Sequence, residues 1–141
     1  MIRLNDLIGQ QAVSLATAER TGNVKGIILD NNRITAVELD DLTIDAAAVR
    51  TFEGDVLTYD HGHPSATNRP GVNPKGKRVL AVHGDELGTI ADLEIDADGT
   101  VSTIVLDNGE RLNGARLRAI GSYAAITAAE LPPPTGLPVN S

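Results

Sequence analysis

The stretch GNVKGIILDNNRITAVELD, residues 22–40, decides the fold because it carries the pattern of two β-strands joined by a tight turn. Asn31 and Asn32 stand at the reversal, and asparagine tolerates the positive φ that tight hairpin turns need. Apolar residues alternate within each run, as one buried sheet face requires. The alternating residues are Ile27, Leu29, Val37 and Leu39. The stretch therefore predicts a hairpin with Ile28 on its outer face.

The same plan recurs in residues 88–107, GTIADLEIDADGTVSTIVLD. Gly22 aligns with Gly88 at a spacing of 66 residues, and later positions align at 67 or 68 residues. The spacing changes only at predicted loops, as a duplicated domain requires. We therefore predict an all-β chain of two small β-barrels in tandem, related by internal duplication, at residues 1–60 and 75–128.

Two segments differ in composition from these units. Residues 61–74 are rich in proline and glycine and almost free of apolar side chains, which predicts a polar linker. Residues 129–141 form a proline-rich tail that is either a recognition motif or a disordered end. All 7 prolines lie in these two segments, outside strands where a missing amide would break a sheet.

Composition restricts the classes of function. The formal net charge is −7 and only three residues are aromatic, so neither a broad basic surface nor a stacking platform for nucleic acid is present. The chain has no cysteine, which excludes disulfides and thiolate chemistry. No long apolar segment is visible, so we expect a cytoplasmic protein without membrane insertion.

The pattern of glycines and apolar residues in the two units resembles that of the PRC-barrel family. The carrying pattern is Ile8-Gly9, then Gly22-x-Val24-x-Gly26-Ile27-Ile28-Leu29-Asp30, and its second copy starts Gly88-x-Ile90-x-Asp92-Leu93. The resemblance implies small, strongly bent β-barrels. Relatives include a domain of the photosynthetic reaction centre H subunit and a domain of a ribosome maturation factor. The resemblance implies protein contacts and brings no shared catalytic residues.

Three groups in the sequence have residue types that can carry chemistry, and each also has a simpler interpretation. His61-x-His63 has the spacing of two metal ligands and Asp60 could add an oxygen, but a fourth ligand is not evident. His83 lacks a nucleophile to activate. Asp96-x-Asp98-x-Thr100 resembles the start of a calcium loop, but its glycine is misplaced and a hairpin turn explains it. We therefore predict no catalytic residue, no cofactor and no metal site.

Three arginines and two apolar residues are the predicted contact positions. Arg111, Arg116 and Arg118 are candidates for binding a carboxylate or phosphate. Ile28 and Val105 are outward-facing in the alternation, where the other copy has a glutamate. We hypothesise that the barrels pack as a pseudo-twofold pair with Ile28 and Val105 at or near a contact, within the chain or in a homodimer.

Together these patterns predict a non-catalytic adaptor or scaffold that binds a protein partner of unknown identity. One alternative is a small ligand- or metal-binding protein, or an enzyme, with its site between the barrels. Another alternative is a ribosome-associated assembly factor, although the acidic charge argues against direct contact with RNA.

Overall fold

The structure is a computed structural model that describes residues 1–60 and 71–128. Most of the predicted linker 61–74, including His61 and His63, and all of the predicted tail 129–141 lie outside the described residues. Within the described ranges the chain is mostly β, as expected. Its helical parts there are α1 (Leu4–Leu7) and two 3₁₀ turns, Ala46–Ala48 and Gly114–Arg116.

The first unit forms two small sheets. Its strands are β1 (Ile2–Arg3), β2 (Gln11–Ser14), β3 (Arg20–Asn23), β4 (Gly26–Asp30), β5 (Arg33–Glu38), β6 (Thr43–Asp45), β7 (Val49–Thr51) and β8 (Leu57–Tyr59). One sheet has the order β3-β2-β8-β7 and the other has the order β4-β5-β6. β2 and β8 run parallel, whereas the other neighbours in these two sheets are antiparallel.

The second unit forms one larger sheet. Its strands are β9 (Arg78–Ala81), β10 (Glu86–Ile95), β11 (Val101–Leu106), β12 (Arg111–Asn113), β13 (Leu117–Ile120) and β14 (Ala124–Thr127). The strand order is β12-β11-β10-β9-β14-β13, and β1 of the first unit joins this sheet by pairing with β10. The 10-residue β10 takes the place of both β3 and β4.

Strand pairing is the same in both units. β9 pairs antiparallel with the start of β10 and parallel with β14, as β2 pairs with β3 and β8. β11 lies between β10 and β12, as β5 lies between β4 and β6. The repeat that the sequence shows is therefore also a repeat of topology.

Matching side chains fix the turns of the two units. Asp45 accepts a hydrogen bond from the amide of Ala47 at 3.0 Å, and so begins the first 3₁₀ turn. Asn113 accepts the equivalent bond from Ala115 at 2.9 Å. Hydrogen bonds from Thr89 to the carboxylate of Asp107 hold the pKa of that group below its usual value.

A single hydrophobic cluster runs through both units. The alternating apolar residues of the two long hairpins are all buried in it, as predicted: Ile27, Leu29, Val37, Leu39, Leu93, Ile95, Ile104 and Leu106. α1 adds Leu4 and Leu7, each with 0% exposure. Because the cluster is continuous, the two units share one core.

Val72, near the end of the predicted linker, pairs with the first unit. Its amide donates to the carbonyl of Ile27 at 2.9 Å, and the reverse bond is also 2.9 Å. The neighbouring Gly71 lies against the side chain of Glu38, whose carboxylate accepts the Gly71 amide at 3.3 Å. Residues 71–72 therefore form part of the folded structure.

Candidate functional site

The two units meet along a seam centred on the tips of their long hairpins. Arg33 and Thr100 form an antiparallel bridge across it. The amide after Arg33 donates to the carbonyl before Thr100 at 2.9 Å, and the amide after Thr100 donates to the carbonyl before Arg33 at 2.7 Å. Arg33 and Thr100 are 67 residues apart, which is the repeat spacing here, so each bond is the repeat image of the other. A local twofold axis therefore passes between them.

Near the start of each unit a short segment crosses to the sheet of the other unit. Ile2 pairs antiparallel with Ile95 in the second unit. Val72, which precedes β9, pairs antiparallel with Ile27 in the first unit. Asn5 also binds across the seam, since its side chain donates to the carbonyl of Ala91 at 3.3 Å. The crossing is therefore reciprocal.

The ring of Phe52 in the first unit packs across the seam against Gly99 in the second unit. A Cβ atom added at Gly99 would lie 3.0 Å from Cε2 of Phe52 and 3.5 Å from Cβ of Ile34. The amide of Phe52 also donates to the carbonyl of Ala97 at 3.2 Å. Gly99 has a φ of +91°, a conformation that glycine adopts without strain. The turn therefore combines a left-handed backbone with close contact to a ring.

The two predicted interface residues differ in burial. Ile28 is 2% exposed although it lies outside the continuous core cluster, and its strand β4 lies against β13 of the second unit. Val105 is half-buried on β11, opposite Asp92 and Arg111. The contact between β4 and β13 is observed. A role for the side chains of Ile28 and Val105 at an interface stays a prediction.

The three candidate arginines lie in different surroundings. Arg111 donates to the carboxylate of Glu94 at 2.5 Å, and this hydrogen bond holds the pKa of Glu94 below its usual value. Nε of Arg116 donates to the carbonyl of Ala128 at 2.9 Å. Arg118 lies exposed on β13. Arg111 and Arg118 stand on opposite edge strands of the sheet, and the anion contact stays a prediction.

The other candidate groups in the described part of the chain are His83 and the aspartates near the β10–β11 turn. Nε2 of His83 lies 2.9 Å from the carboxylate of Asp85 on an exposed turn. Asp98 accepts the amide of Thr100 at 2.9 Å, and this bond holds the pKa of Asp98 below its usual value. Asp98 thus shapes the turn between β10 and β11. Among the described residues no group of three or more potential ligands is placed to hold a metal ion.

The alternative function needs a ligand site between the two units, and a cleft lies there. It has a volume of about 260 Å³ and is lined by Arg33, Thr35, Asp45 and Asp98 among others. Both carboxylates already accept backbone amides, of Ala47 and of Thr100 respectively. The cleft therefore presents one exposed guanidinium beside two carboxylates that shape turns.

Each unit has a corner beside its strand β2 or β9. The two corners have the same backbone arrangement but carry different side chains. The first-unit corner comprises residues 8–11 and 53–55, and the second-unit corner comprises residues 75–78 and 121–123. The side chain of Gln10 donates to the carbonyl of Gly54 at 2.7 Å. At the equivalent place, Nζ of Lys77 donates to the carbonyl of Ser122 at 2.6 Å. The same tie between two turns is therefore kept with a different side chain.

The first-unit corner is acidic and borders a groove. The groove has a volume of about 710 Å³, and its lining includes Asp6, Glu53, Asp55 and Gln10. The amino group of Met1 forms an ion pair with Glu53. Oε1 of Gln10 is buried without a hydrogen-bond partner among the residues that the structure describes.

The second-unit corner is basic and aromatic. Tyr123 is 71% exposed. Its hydroxyl accepts a hydrogen bond from Arg78 at 3.1 Å, and that guanidinium lies 5.3 Å from the ring centroid. Arg78 also pairs with Glu86 at 3.5 Å, while Lys75 is exposed nearby in sequence. A tyrosine braced by arginine on the surface is typical of contact sites.

Comparison with known proteins assigns the second unit. Residues 68–127 match the PRC-barrel domain. The chain contains a PRC-barrel domain. The match does not extend over the first unit, and no curated protein matches the chain. In the described ranges no helix is long and apolar enough to cross a membrane.

The PRC-barrel domain begins before its first sheet strand. The match includes residues 68–74, and Val72 in that segment pairs with the first unit. The PRC-barrel domain also carries the corner with Lys77, Arg78 and Tyr123, which the sequence reasoning missed. The signal was present as three cations in residues 75–78, but the tyrosine is 45 residues from Arg78 and only the fold joins them.

Proposed function

We propose that the protein is a non-catalytic adaptor or scaffold in the cytoplasm that binds a protein partner. In this proposal the first unit is a second PRC-like barrel that arose by duplication. The identical strand pairing of the two units supports the duplication, as do the matching caps at Asp45 and Asn113.

The exposed second-unit corner is the observation that carries this proposal. Tyrosine and arginine are enriched where proteins bind one another, because each offers a large contact area with a polar end. Tyr123 is braced by Arg78, and Lys77 is tied to a backbone carbonyl, so little side-chain freedom remains to be lost on binding. The corner is thus pre-organised.

Charge indicates the chemistry of the partner. The whole chain has a formal net charge of −7, yet the second-unit corner presents Lys75, Lys77 and Arg78 together. Complementary charge raises the rate of encounter and excludes partners of like charge. An acidic protein segment therefore fits this corner better than a basic one.

Affinity capture from native cell extract tests the proposal. The bait with Lys75→Glu and Arg78→Glu should lose the specific partners that the parent retains. The matched control carries Arg20→Glu and Lys25→Glu, which make the same change in net charge at exposed positions outside the corner. The control should retain those partners.

A second variant separates charge from shape. Tyr123→Ala removes the exposed ring and leaves the net charge unchanged, so it should weaken the same captures by at least severalfold. If the Lys75→Glu and Arg78→Glu double variant and the Tyr123→Ala variant both capture the same proteins as the parent in the same amounts, the corner is not the binding surface and the proposed function is wrong.

A further inference from the structure

Beyond the adaptor function, we propose that the seam is an interaction surface for a second copy of this chain. In the resulting dimer the first unit of each copy docks on the second unit of the other. The argument rests on the symmetry of the seam and does not depend on what the second-unit corner binds.

The seam is self-complementary at its centre. The two backbone bonds beside Arg33 and Thr100 are repeat images of one another, so each unit offers the other the same backbone surface. Interfaces of this kind are the usual basis of twofold dimers. Here a covalent connection joins two subunits that would otherwise form such a dimer.

The crossing segments make the exchange reciprocal. The first unit donates Ile2 and Arg3 to β10, where they pair with Ile95 and Glu94. The segment before the second unit donates Val72 to β4. The sheet of the second unit therefore gains β1 from the first unit, and β4 gains a bridge to Val72. A unit from another copy carries the same segments.

Contacts across the seam do not depend on which copy supplies each unit. Phe52 packs on Gly99, and the amide of Asn5 donates to the carboxylate of Asp92 at 3.2 Å. The exchanged dimer keeps these contacts, so its energy differs from that of the closed monomer chiefly through the connecting segment and concentration. Refolding at high protein concentration should therefore trap exchanged dimers.

Introduced thiols report the exchange directly because the chain has no cysteine of its own. Arg33 and Thr100 form a non-hydrogen-bonded antiparallel pair, whose Cα atoms lie about 4.5 Å apart in general. That separation suits a disulfide. The variants are Arg33→Cys and Thr100→Cys in separate full-length chains.

The two variants are unfolded, mixed in equal amounts, refolded together at high concentration and then oxidised. We expect a covalent heterodimer, since the exchange places each thiol opposite the other. The same variants refolded separately and mixed afterwards should give at least severalfold less. Each variant refolded alone should not crosslink, because its thiol then faces the unchanged partner residue.

Sedimentation velocity of the parent chain gives a readout without thiols. A dimer should form on refolding at high concentration, and it should persist after dilution because exchange back requires the units to separate. A parent chain that is only monomeric under these conditions overturns the proposal. Equal crosslinking in the jointly and separately refolded mixtures also overturns it. Neither result affects the capture experiment at the second-unit corner.

Discussion

Ala46 in the first unit and Gly114 in the second begin equivalent 3₁₀ turns, but their surroundings differ. Gly114 is buried, and a Cβ atom added there would lie 1.9 Å from the carbonyl oxygen of Val101. Ala46 carries a Cβ atom at the matching place and is half-buried. The same strand order therefore allows different distances between the 3₁₀ turn and the neighbouring strand. Glycine stands where the turn packs tightly against the strand, and alanine stands where there is room for a methyl group.

The outer faces of the long hairpins differ as well. Ile28 on β4 is buried, whereas the aligned Glu94 on β10 pairs with Arg111. The acidic and the basic corner show the same divergence around a conserved backbone tie. The two units thus share the pairing of strands, while their surfaces are chemically distinct.

The largest expected effect comes from making the second unit resemble the first at the 3₁₀ turn. Gly114→Ala should lower the free energy of unfolding by about 3 kcal/mol or more, because the added methyl meets backbone that cannot rotate away. Equilibrium denaturation with urea measures the change.

The reciprocal change is the control. Ala46→Gly should cost only about 0.5–1 kcal/mol, the usual effect of added backbone freedom. Equal losses for the two variants would contradict the difference in approach between the turns.

A smaller effect is expected at the seam. Gly99→Ala places a methyl 3.0 Å from the ring of Phe52, and Gly99 has a φ of +91°. Gly109 has a nearly equal φ of +88° with open space around it. Both variants should lose about 1–2 kcal/mol for the left-handed conformation. The excess loss of Gly99→Ala, up to about 2 kcal/mol, reports packing across the seam.

Thermal melting of the two glycine variants gives the comparison in one experiment. The melting temperature of Gly99→Ala should lie below that of Gly109→Ala. If the two melt together, the ring moves aside easily and the seam is looser than the distances indicate.

Next in size are the two caps, which should have similar effects in the two units. Asp45→Ala and Asn113→Ala each leave one amide of a 3₁₀ turn without its side-chain acceptor. The typical cost of losing such a cap is about 1 kcal/mol. Urea denaturation of both variants should give losses within a few tenths of a kcal/mol of each other. A loss at only one cap would show that the turns stabilise the units unequally.

Much of the fold could be predicted because short-range patterns determine it. Alternation placed Ile27 and Leu29 inward, and the structure buries both. The asparagine reversal was also correct, with Asn31 at a φ of 53°. Alternation alone placed Ile28 outward, yet the side chain is 2% exposed. Its burial arises from tertiary packing that a periodic pattern within one strand does not contain.

The candidate site was harder to predict, because its residues come together through the fold. Arg78 begins β9 and Tyr123 directly precedes β14, so the two side chains meet only when these strands pair. The bridge between Arg33 and Thr100 likewise joins two turns that look like ordinary hairpin ends in the sequence. The predicted duplication led us to expect a pseudo-twofold pair, but it did not show which residues lie on the axis.

The smallest expected effect concerns the charge on the outer face of the second unit. Glu94 accepts a hydrogen bond from Arg111, and this bond holds its pKa below the usual 4.5. In the window just below pH 4.5 the unfolded chain therefore binds more protons at this position than the folded chain. The contribution of Glu94 to stability is present above that pH and is lost as the pH falls through the folded-state pKa.

Glu94→Gln keeps the shape of the side chain and removes its charge. At pH 7 it should lower the free energy of unfolding by less than about 1 kcal/mol, because Arg111 is largely exposed and solvent screens the pair. The difference from the parent should shrink as the pH falls below 4.5 and as salt is added. The first unit has the uncharged Ile28 at this place. In the Glu94→Gln background Arg111 no longer has the carboxylate of Glu94 to pair with, so adding Arg111→Gln should cause little further loss of stability. A difference that stays constant from pH 7 to pH 3 would assign the effect to packing of the side chain, and the charge would then not distinguish the two units.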